Sequence, residues 1–163
     1  MGRITLTRVA DRELLMSYEL EGLSGGERLR WIDPGACPNV GGAPLRASGH
    51  WYPPAASGIG FDLVVSVNDR VAALYLYDGE GAPRWLWAQG SAGSEEYRLV
   101  QYRGFCRDCA WQRIHGRDAG TMRLILGAGG GQWRFQGAFL APLEGALARE
   151  LAVAPLTEPA PCP

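Results

Sequence analysis

Cysteine is the residue type with the most clearly defined chemistry in this chain, and the sequence holds four: Cys37, Cys106, Cys109 and Cys162. The pair Cys106-x-x-Cys109 has the spacing of a redox-active dithiol, or of half a zinc site that His115 would extend. A redox pair opens a helix in a βαβ context, which is lacking here, and a closed zinc site needs four ligands. We therefore interpret all four cysteines as disulfide candidates, with free thiols as the alternative, and predict no metal and no cofactor.

The side chains of a nucleophilic triad also occur close together. His50 lies between Ser48 and Ser57 in the sequence, and Asp62 follows soon after. A triad needs a base within hydrogen-bond reach of the nucleophile and a third group that orients the base, and neither serine lies in a nucleophile elbow. We therefore predict no catalytic residues, and a hydrolase is a less favoured interpretation.

Tryptophan and tyrosine form a third group with chemical potential, because exposed rings stack against the faces of sugars. A β core needs aromatic residues too, and most of these rings fall in strands that we expect to be buried. Corner, strand-end and loop positions are the best candidates for exposure. The predicted ligand-binding residues are Trp51, Tyr52, Trp87 and Trp111.

An acidic turn, Asp78-Gly79-Glu80-Gly81, has side chains that can bind Ca²⁺ weakly. The same residues are typical of a four-residue hairpin turn. The hairpin explains the segment fully, so no metal site is predicted there.

Composition limits the function classes. The chain has 163 residues, enough for one domain with a core, and its formal charge of −1 provides no basic field for nucleic acid. No run of about 18 apolar residues is present, so we predict no membrane-spanning segment. The even number of cysteines and the Gly, Trp and Tyr usage favour a secreted or periplasmic protein whose leader is absent from this sequence.

Alternation of apolar and polar residues with a period of two predicts β-strands along most of the chain. Short turns separate these strands, so we expect antiparallel hairpins. Residues 3–32 predict three strands, with breaks at Ala10-Asp11 and Ser24-Gly25-Gly26. Residues 33–46 are rich in Pro and Gly and predict a loop.

The middle of the chain predicts a four-strand meander. In its first strand, apolar residues occupy alternate positions from Ile59 to Val67, and the chain then turns at Asn68-Asp69. The next two strands, 71–77 and 84–87, are predicted to be central, and 71–77 is apolar on both faces, as a strand covered on both sides would be. The remaining predicted segments are a strand at 97–103, a loop at 104–116, a hairpin of 122–126 and 133–139, and a last strand at 147–153 for which a short helix is the alternative.

Together these segments predict an all-β fold: an antiparallel β-sandwich or an up-and-down barrel of about ten strands, forming one compact domain over residues 1–163. We expect residues 2–32 to pack against 58–90, because unpaired strand edges promote aggregation, with pairing between chains as the alternative. The residues expected to face one core are Ile59, Phe61, Leu63, Val65, Trp133, Phe135 and Phe139.

Four short sequence matches in the same order indicate an internal repeat of a three-strand unit. The unit would occupy residues 2–38 and again 120–163, on either side of a segment 48–119 that holds the corner, the meander and the cysteine loop. The matches are Gly2-x-x-x-Leu6 with Gly120-x-x-x-Leu124, Leu14-x-Met16 with Trp133-x-Phe135, Leu23-x-Gly25 with Leu143-x-Gly145, and Cys37-Pro38 with Cys162-Pro163.

Two motifs connect the chain with a family. Residues 48–61 carry Ser-Gly-x-Trp-Tyr-x-Pro-x-x-Ser-Gly-x-Gly-Phe, and residues 77–86 carry Tyr-Asp-x-x-Gly-x-Pro-x-Trp-Leu. This pattern resembles a repeated module of uncharacterised exported proteobacterial proteins. The resemblance implies one whole module over 48–163 and the tail of a preceding module over 2–38, but it brings no established activity.

We therefore expect a non-catalytic extracytoplasmic β module that acts in binding or assembly. The alternative is a carbohydrate- or small-ligand-binding β domain that uses exposed Trp and Tyr; a zinc-binding module is less favoured. The partners expected are a glycan or a protein, with self-association as a further interaction, and not nucleic acid.

Overall fold

The structure, a computed structural model, describes residues 2–20, 22–30, 37–40, 43–91, 93–103, 115–127, 129–139 and 145–162. Its elements are antiparallel strands, together with a short 3-10 turn at Pro54–Ala56, so the all-β prediction is confirmed. The chain divides into two compact units, Met1–Asp33 and Pro34–Pro163. The single domain expected over residues 1–163 stays a prediction.

The first unit is a three-stranded antiparallel meander. Its strands are β1 (Gly2–Ala10), β2 (Glu13–Leu20) and β3 (Leu23–Arg30), in the sheet order β1-β2-β3. The three predicted strands are therefore confirmed, and so is the break after Ala10.

The break predicted at Ser24-Gly25-Gly26 is wrong, because these residues lie inside β3. Gly25 is the cross-strand partner of Tyr18. A Cβ atom at position 25 would collide with the ring of Tyr18, so the glycine accommodates an aromatic ring and does not mark a turn.

The second unit contains a closed barrel. Eight strands follow one another around it in chain order, each antiparallel to the next, and the last pairs with the first. The main sheet of this unit is thus an up-and-down barrel of eight strands, where we expected a barrel or sandwich of about ten strands for the whole chain. The strands of this unit are β4 (Asn39–Val40) and β5 (Ala43–Pro44), which form a separate ribbon, and the barrel strands β6 (Gly49–Tyr52), β7 (Gly60–Val65), β8 (Asp69–Tyr77), β9 (Pro83–Ser91), β10 (Glu96–Arg103), β11 (His115–Gly127), β12 (Gly130–Phe139) and β13 (Gly145–Pro155).

Aromatic rings fill the centre of the barrel. Phe61 meets Trp133 edge-on with ring centroids 5.0 Å apart, and Trp133 lies 4.5 Å from Phe135. Trp51 is nearly parallel to Phe61 on its other side. Around these rings lie the aliphatic residues of alternate strand positions, among them Leu63, Val65, Leu74, Leu86, Leu99, Met122 and Leu124.

Most of the predicted core is confirmed. Phe61, Leu63 and Val65 of β7 and both Trp133 and Phe135 of β12 are buried in one cluster. Ile59 is only partly buried and packs against this cluster. The side chain of Phe139 lies outside the described part of the structure.

Val67, which we placed on the core face of the first meander strand, is 70% exposed. The strand ends at Val65 because Ser66 forms hydrogen bonds with Asp69 across the turn. Its Oγ accepts the backbone N–H of Asp69, and its own N–H donates to the carbonyl of Asp69. A serine that competes for backbone groups in this way ends the ladder, so the turn begins at Ser66 and not at Asn68.

The barrel closes between β13 and β6. Only two residue pairs, Ala154 with Tyr52 and Pro155 with Trp51, are in register there. The chain then continues alongside β6. There the backbone N–H of Leu156 donates to the backbone carbonyl of His50, and the backbone N–H of Ala160 donates to the backbone carbonyl of Ser48. The last predicted segment is therefore a strand and not a helix, and it extends the seam beyond its own end.

A disulfide joins Cys37 to Cys162. It links the segment before β6 to the chain that follows β13, so it lies at the seam of the barrel. The prediction of a disulfide is confirmed for this pair. Cys106 and Cys109 lie outside the described residues, as does most of the predicted 104–116 loop; His115 and Gly116 are not loop residues, because β11 already begins at His115.

Candidate functional site

Strand β8 presents two different faces. Leu74 and Leu76 point into the barrel and are buried, whereas Tyr75 and Tyr77 are each about half exposed. The prediction that this strand is covered on both faces is therefore wrong. In a closed barrel only one face of each strand meets the core, and the apolar residues of the other face are left at the surface.

Three aromatic side chains on neighbouring strands form a row on the outer surface, which we call the aromatic strip: Tyr75, Trp85 and Tyr102. Tyr75 and Trp85 are direct cross-strand partners. The rings of Trp85 and Tyr102 have centroids 6.0 Å apart and planes inclined by 28°. Tyr102 is partnered by Gly116, where a Cβ atom would meet the tyrosine ring, so a glycine allows this ring to lie against β11.

An open cleft of about 490 Å³ adjoins the aromatic strip. Its floor includes Gly60, which is paired with Tyr75, so Tyr75 belongs to both the strip and the cleft wall. A Cβ atom at position 60 would collide with the backbone carbonyl of Trp51, so any side chain there is disfavoured. The other lining residues are His50, Trp51, Tyr52, Ser57, Gly58, Ile59, Phe61 and Leu156.

The loop between β6 and β7 shapes this cleft. Tyr52 ends β6, and the prolines that follow lead into the 3-10 turn Pro54–Ala56. Gly58 then has a φ of +99°, a left-handed conformation that favours glycine, and brings the chain back to β7. The Trp-Tyr-Pro-Pro corner found in the sequence therefore consists of the end of β6 and the start of the loop that leads to β7, and Tyr52, Ser57 and Gly58 of this segment line the cleft.

Two acid–base contacts lie near the site. His50 Nδ1 lies 3.4 Å from Asp62 Oδ1 beside the cleft. Between β10 and β11, Arg98 Nε lies 2.8 Å from Asp118 Oδ2. The backbone N–H of Gly120, and after it Arg98, hold the pKa of Asp118 below its ordinary value. The carboxylates of Asp62 and Asp118 therefore both have protein partners.

One mouth of the barrel holds a smaller cavity of about 190 Å³. Arg70 and Tyr97 line it, and Arg70 donates to the carbonyl of Ser94. Burial raises the pKa of Tyr97, and Arg70 partly offsets this effect. Ligand pockets usually measure about 300–1,000 Å³. The cleft on the outer face therefore has the more suitable size.

The four predicted ligand-binding residues have different environments. Trp51 is only 3% exposed and its Nε1 donates to the carbonyl of Ala47, so the expectation that it is exposed is wrong. Tyr52 lines the cleft. Trp87 faces outward on β9, two positions from Trp85, and is half-buried. Trp111 lies outside the described residues.

The residues considered for a triad are only partly brought together. Ser48 is buried, and its Oγ accepts the backbone N–H of Val65. Ser57 lines the same cleft as His50, whose partner is Asp62. Ser48 therefore has a structural role, and the remaining groups supply hydrogen-bonding atoms to the cleft.

The acidic turn is a hairpin between β8 and β9. Asp78 Oδ1 accepts the backbone N–H groups of Glu80 and Ala82, and Asp78 Oδ2 lies 2.7 Å from Arg84 Nη2. These bonds, the one from Ala82 first, hold the pKa of Asp78 below its ordinary value. The carboxylate is already occupied by protein groups, which accounts for the acidic residue at this turn.

The turn makes a prediction about pH. Because the folded-state pKa of Asp78 is lowered, its ionisation stabilises the fold above the ordinary value of 3.8, and this contribution is lost as the pH falls through the lower folded-state pKa. Asp78→Asn should therefore be less stable than the wild type above about pH 5, with a difference that shrinks below about pH 3.8. Urea midpoints of both proteins across this range test the prediction; a difference independent of pH would contradict it.

Among the residues that the structure describes, no cluster of three His, Cys, Asp or Glu side chains is arranged to hold a metal ion. Cys37 and Cys162 are bonded to each other and so are not thiolate ligands in this structure. Within the same described ranges, no helix has the length and apolar character needed to cross a membrane. Comparisons of the chain with protein-family models, with curated proteins and with solved structures find no match.

Proposed function

We propose that the chain is a non-catalytic extracytoplasmic β module whose barrel binds a partner through its outer face, at the aromatic strip and the adjoining cleft. The barrel interior is occupied by the rings of Trp133, Phe61 and Phe135 and acts as a core. The outer face therefore offers the better binding surface.

One observation carries this proposal: Tyr75, Trp85 and Tyr102 are 51%, 53% and 39% exposed on three neighbouring strands. Adjacent strands are about 4.8 Å apart, so these rings form one continuous surface. Contiguous apolar patches are uncommon on soluble proteins and mark interaction sites, and aromatic residues are enriched where binding energy concentrates.

The extracytoplasmic location is supported by the disulfide between Cys37 and Cys162. Disulfides persist in oxidising compartments and are rare in the cytosol of most organisms. The same location would suit a module that meets its partner outside the cell.

We also propose that residues 2–38 and 120–163 are copies of one three-strand unit. In support, both contain an antiparallel three-strand meander, β1-β2-β3 in one and β11-β12-β13 in the other. The matched glycine is the first residue of β1 but lies inside β11, which begins at His115. Leu6 pairs with Met16 in the first unit, and Leu124 pairs with Trp133 in the barrel. In this register Met16, and not Leu14, corresponds to Trp133. The alignment between the second strands of the two copies is therefore shifted by two residues from the one predicted from the sequence.

The binding proposal predicts the effect of removing the strip. A panel of immobilised polysaccharides and peptides is screened with the wild type and with Tyr75→Ala/Trp85→Ala. Loss of two exposed rings at the centre of the surface should weaken binding of a true ligand by at least about tenfold, the usual effect of truncating a dominant aromatic contact. Surface plasmon resonance measures the affinities.

Val67→Ala serves as the matched control, because Val67 is exposed in the turn that follows β7 and belongs to neither the strip nor the cleft. It should bind like the wild type. A panel ligand that the double variant binds as tightly as the wild type would place the binding surface elsewhere.

A further inference from the structure

We propose that the ligand of the outer site is an uncharged glycan, with its sugar rings stacked on the aromatic strip and one end in the cleft beside Gly60. The inference rests on the proposed function, because it names the ligand class of the same site. It follows from ring exposure, the polar groups of the cleft, the balance of charge and the spacing between the rings.

The strip provides the faces that sugars need. A pyranose ring carries C–H groups on its faces and hydroxyl groups around its rim, so the C–H face packs against the electron-rich face of an aromatic ring. Tyr75, Trp85 and Tyr102 offer three such rings across β8, β9 and β10. A chain of sugars that crosses these strands can contact each ring in turn.

The cleft provides partners for hydroxyl groups. Its lining is mainly apolar, and His50, Tyr52 and Ser57 add polar atoms to it beside Tyr75. An imidazole, a phenol and an aliphatic hydroxyl each donate or accept hydrogen bonds. A purely apolar ligand would leave these groups without a role, whereas the hydroxyl-rich end of a glycan would use them.

Charge favours a neutral ligand over a charged polymer. Arg98 is paired with Asp118, and the carboxylate of Asp62 lies 3.4 Å from His50 Nδ1 beside the cleft. A polyanion would meet the carboxylates of Asp62 and Asp118, and a polycation would meet the guanidinium of Arg98. A neutral glycan disturbs neither pair.

A proline-rich peptide is the other ligand that stacks on Trp and Tyr, and the ring spacing disfavours it. Such peptides insert proline rings into slots between aromatic side chains. Two van der Waals contacts of about 3.5–4.0 Å each require at least about 7 Å between the flanking rings. The centroids of Trp85 and Tyr102 are 6.0 Å apart, so these two rings leave no slot between them for a proline ring.

The test uses the full chain and six probes measured by isothermal titration calorimetry. Three are neutral hexasaccharides (cellohexaose, chitohexaose and maltohexaose), one is acidic (a galacturonate hexamer), and two are peptides (decaproline and a glycine-serine control). The proteins are the wild type, Trp85→Ala, Trp85→Phe, Tyr75→Ala, Ser57→Ala and Val67→Ala, each checked for a wild-type circular dichroism spectrum.

We expect saturable binding of at least one neutral hexasaccharide. Trp85→Ala should weaken it by about tenfold or more, Trp85→Phe by less, and Ser57→Ala by a few-fold through a lost hydrogen bond, while Val67→Ala should not change it. The graded effect of the two Trp85 substitutions distinguishes stacking from a general loss of structure.

Three results would overturn the inference: no neutral hexasaccharide binds, the acidic hexamer binds more tightly than all of them, or Trp85→Ala binds the sugar like the wild type. Binding of decaproline alone, lost in Trp85→Ala, would exclude the glycan and leave the proposed function standing. A ligand whose affinity is the same in the wild type, Trp85→Ala and Tyr75→Ala would contradict both.

Discussion

Phe61→Ala is expected to lower the free energy of unfolding by about 3–5 kcal/mol, the usual cost of deleting a buried phenylalanine ring. Phe61 is 2% exposed and lies between Trp51 and Trp133. Its removal leaves a cavity bounded by two large rings on different strands, which a barrel closed by backbone hydrogen bonds cannot easily collapse to fill. Equilibrium unfolding in urea measures the effect.

Tyr77→Ala is the control for this prediction. It removes a side chain of similar size from the outer face of β8, where the ring is 49% exposed, and should cost less than about 1 kcal/mol. Equal losses in the two variants would contradict the assignment of Phe61 to the inside of the barrel. The comparison also matters for the proposed binding site, because it tests whether outward-facing rings can be removed without unfolding the protein.

The strands could be predicted from the sequence because alternation is a local property. In β12, Trp133 and Phe135 alternate with Gln132, Arg134 and Gln136, and the structure buries the two aromatic residues and exposes the three polar ones. Closure of the barrel is not local. It depends on the pairing of β13 with β6, about a hundred residues apart, and a period of two contains no information about which strands become neighbours.

The outward position of the aromatic strip, the proposed binding surface, was missed for a related reason. In Leu74-Tyr75-Leu76-Tyr77 every residue is apolar enough for a core, so hydrophobicity alone indicated a strand buried on both faces. The segment nevertheless alternates between aliphatic and tyrosine side chains, and the barrel places the leucines inside and the tyrosines outside. This alternation was the available signal, because a phenol hydroxyl buried in a core would need a hydrogen-bond partner.

Trp51 illustrates the opposite error. Its position beside Tyr52 and two prolines suggested an exposed corner, but its indole N–H reaches the carbonyl of Ala47 four residues earlier. This bond satisfies the polar atom and allows the ring to be buried against Phe61. A contact that depends on the path of the chain before β6 cannot be derived from residue types.

Removing the disulfide with Cys37→Ala/Cys162→Ala is expected to lower the free energy of unfolding by about 2–5 kcal/mol. The two cysteines are 125 positions apart, so the bond closes a loop that contains the whole barrel and restricts the unfolded chain strongly. In the folded state it holds together the seam, where β13 and β6 share only two residue pairs. Urea unfolding of the double variant measures the cost, and replacing both residues avoids leaving one unpaired thiol.

Amide hydrogen exchange shows which part of the fold loses stability in the double cysteine variant. If the disulfide holds the seam, the N–H groups of Leu156 and Ala160, which donate to His50 and Ser48, should exchange faster in the double variant, beyond what its lower global stability explains. The N–H of Leu124, which donates to Glu95 on the other side of the barrel, is the internal control and should change only with global stability. Equal acceleration at all three positions would show that the bond acts on the unfolded chain alone. Unchanged stability together with unchanged exchange at Leu156 would contradict the placement of the disulfide at the seam.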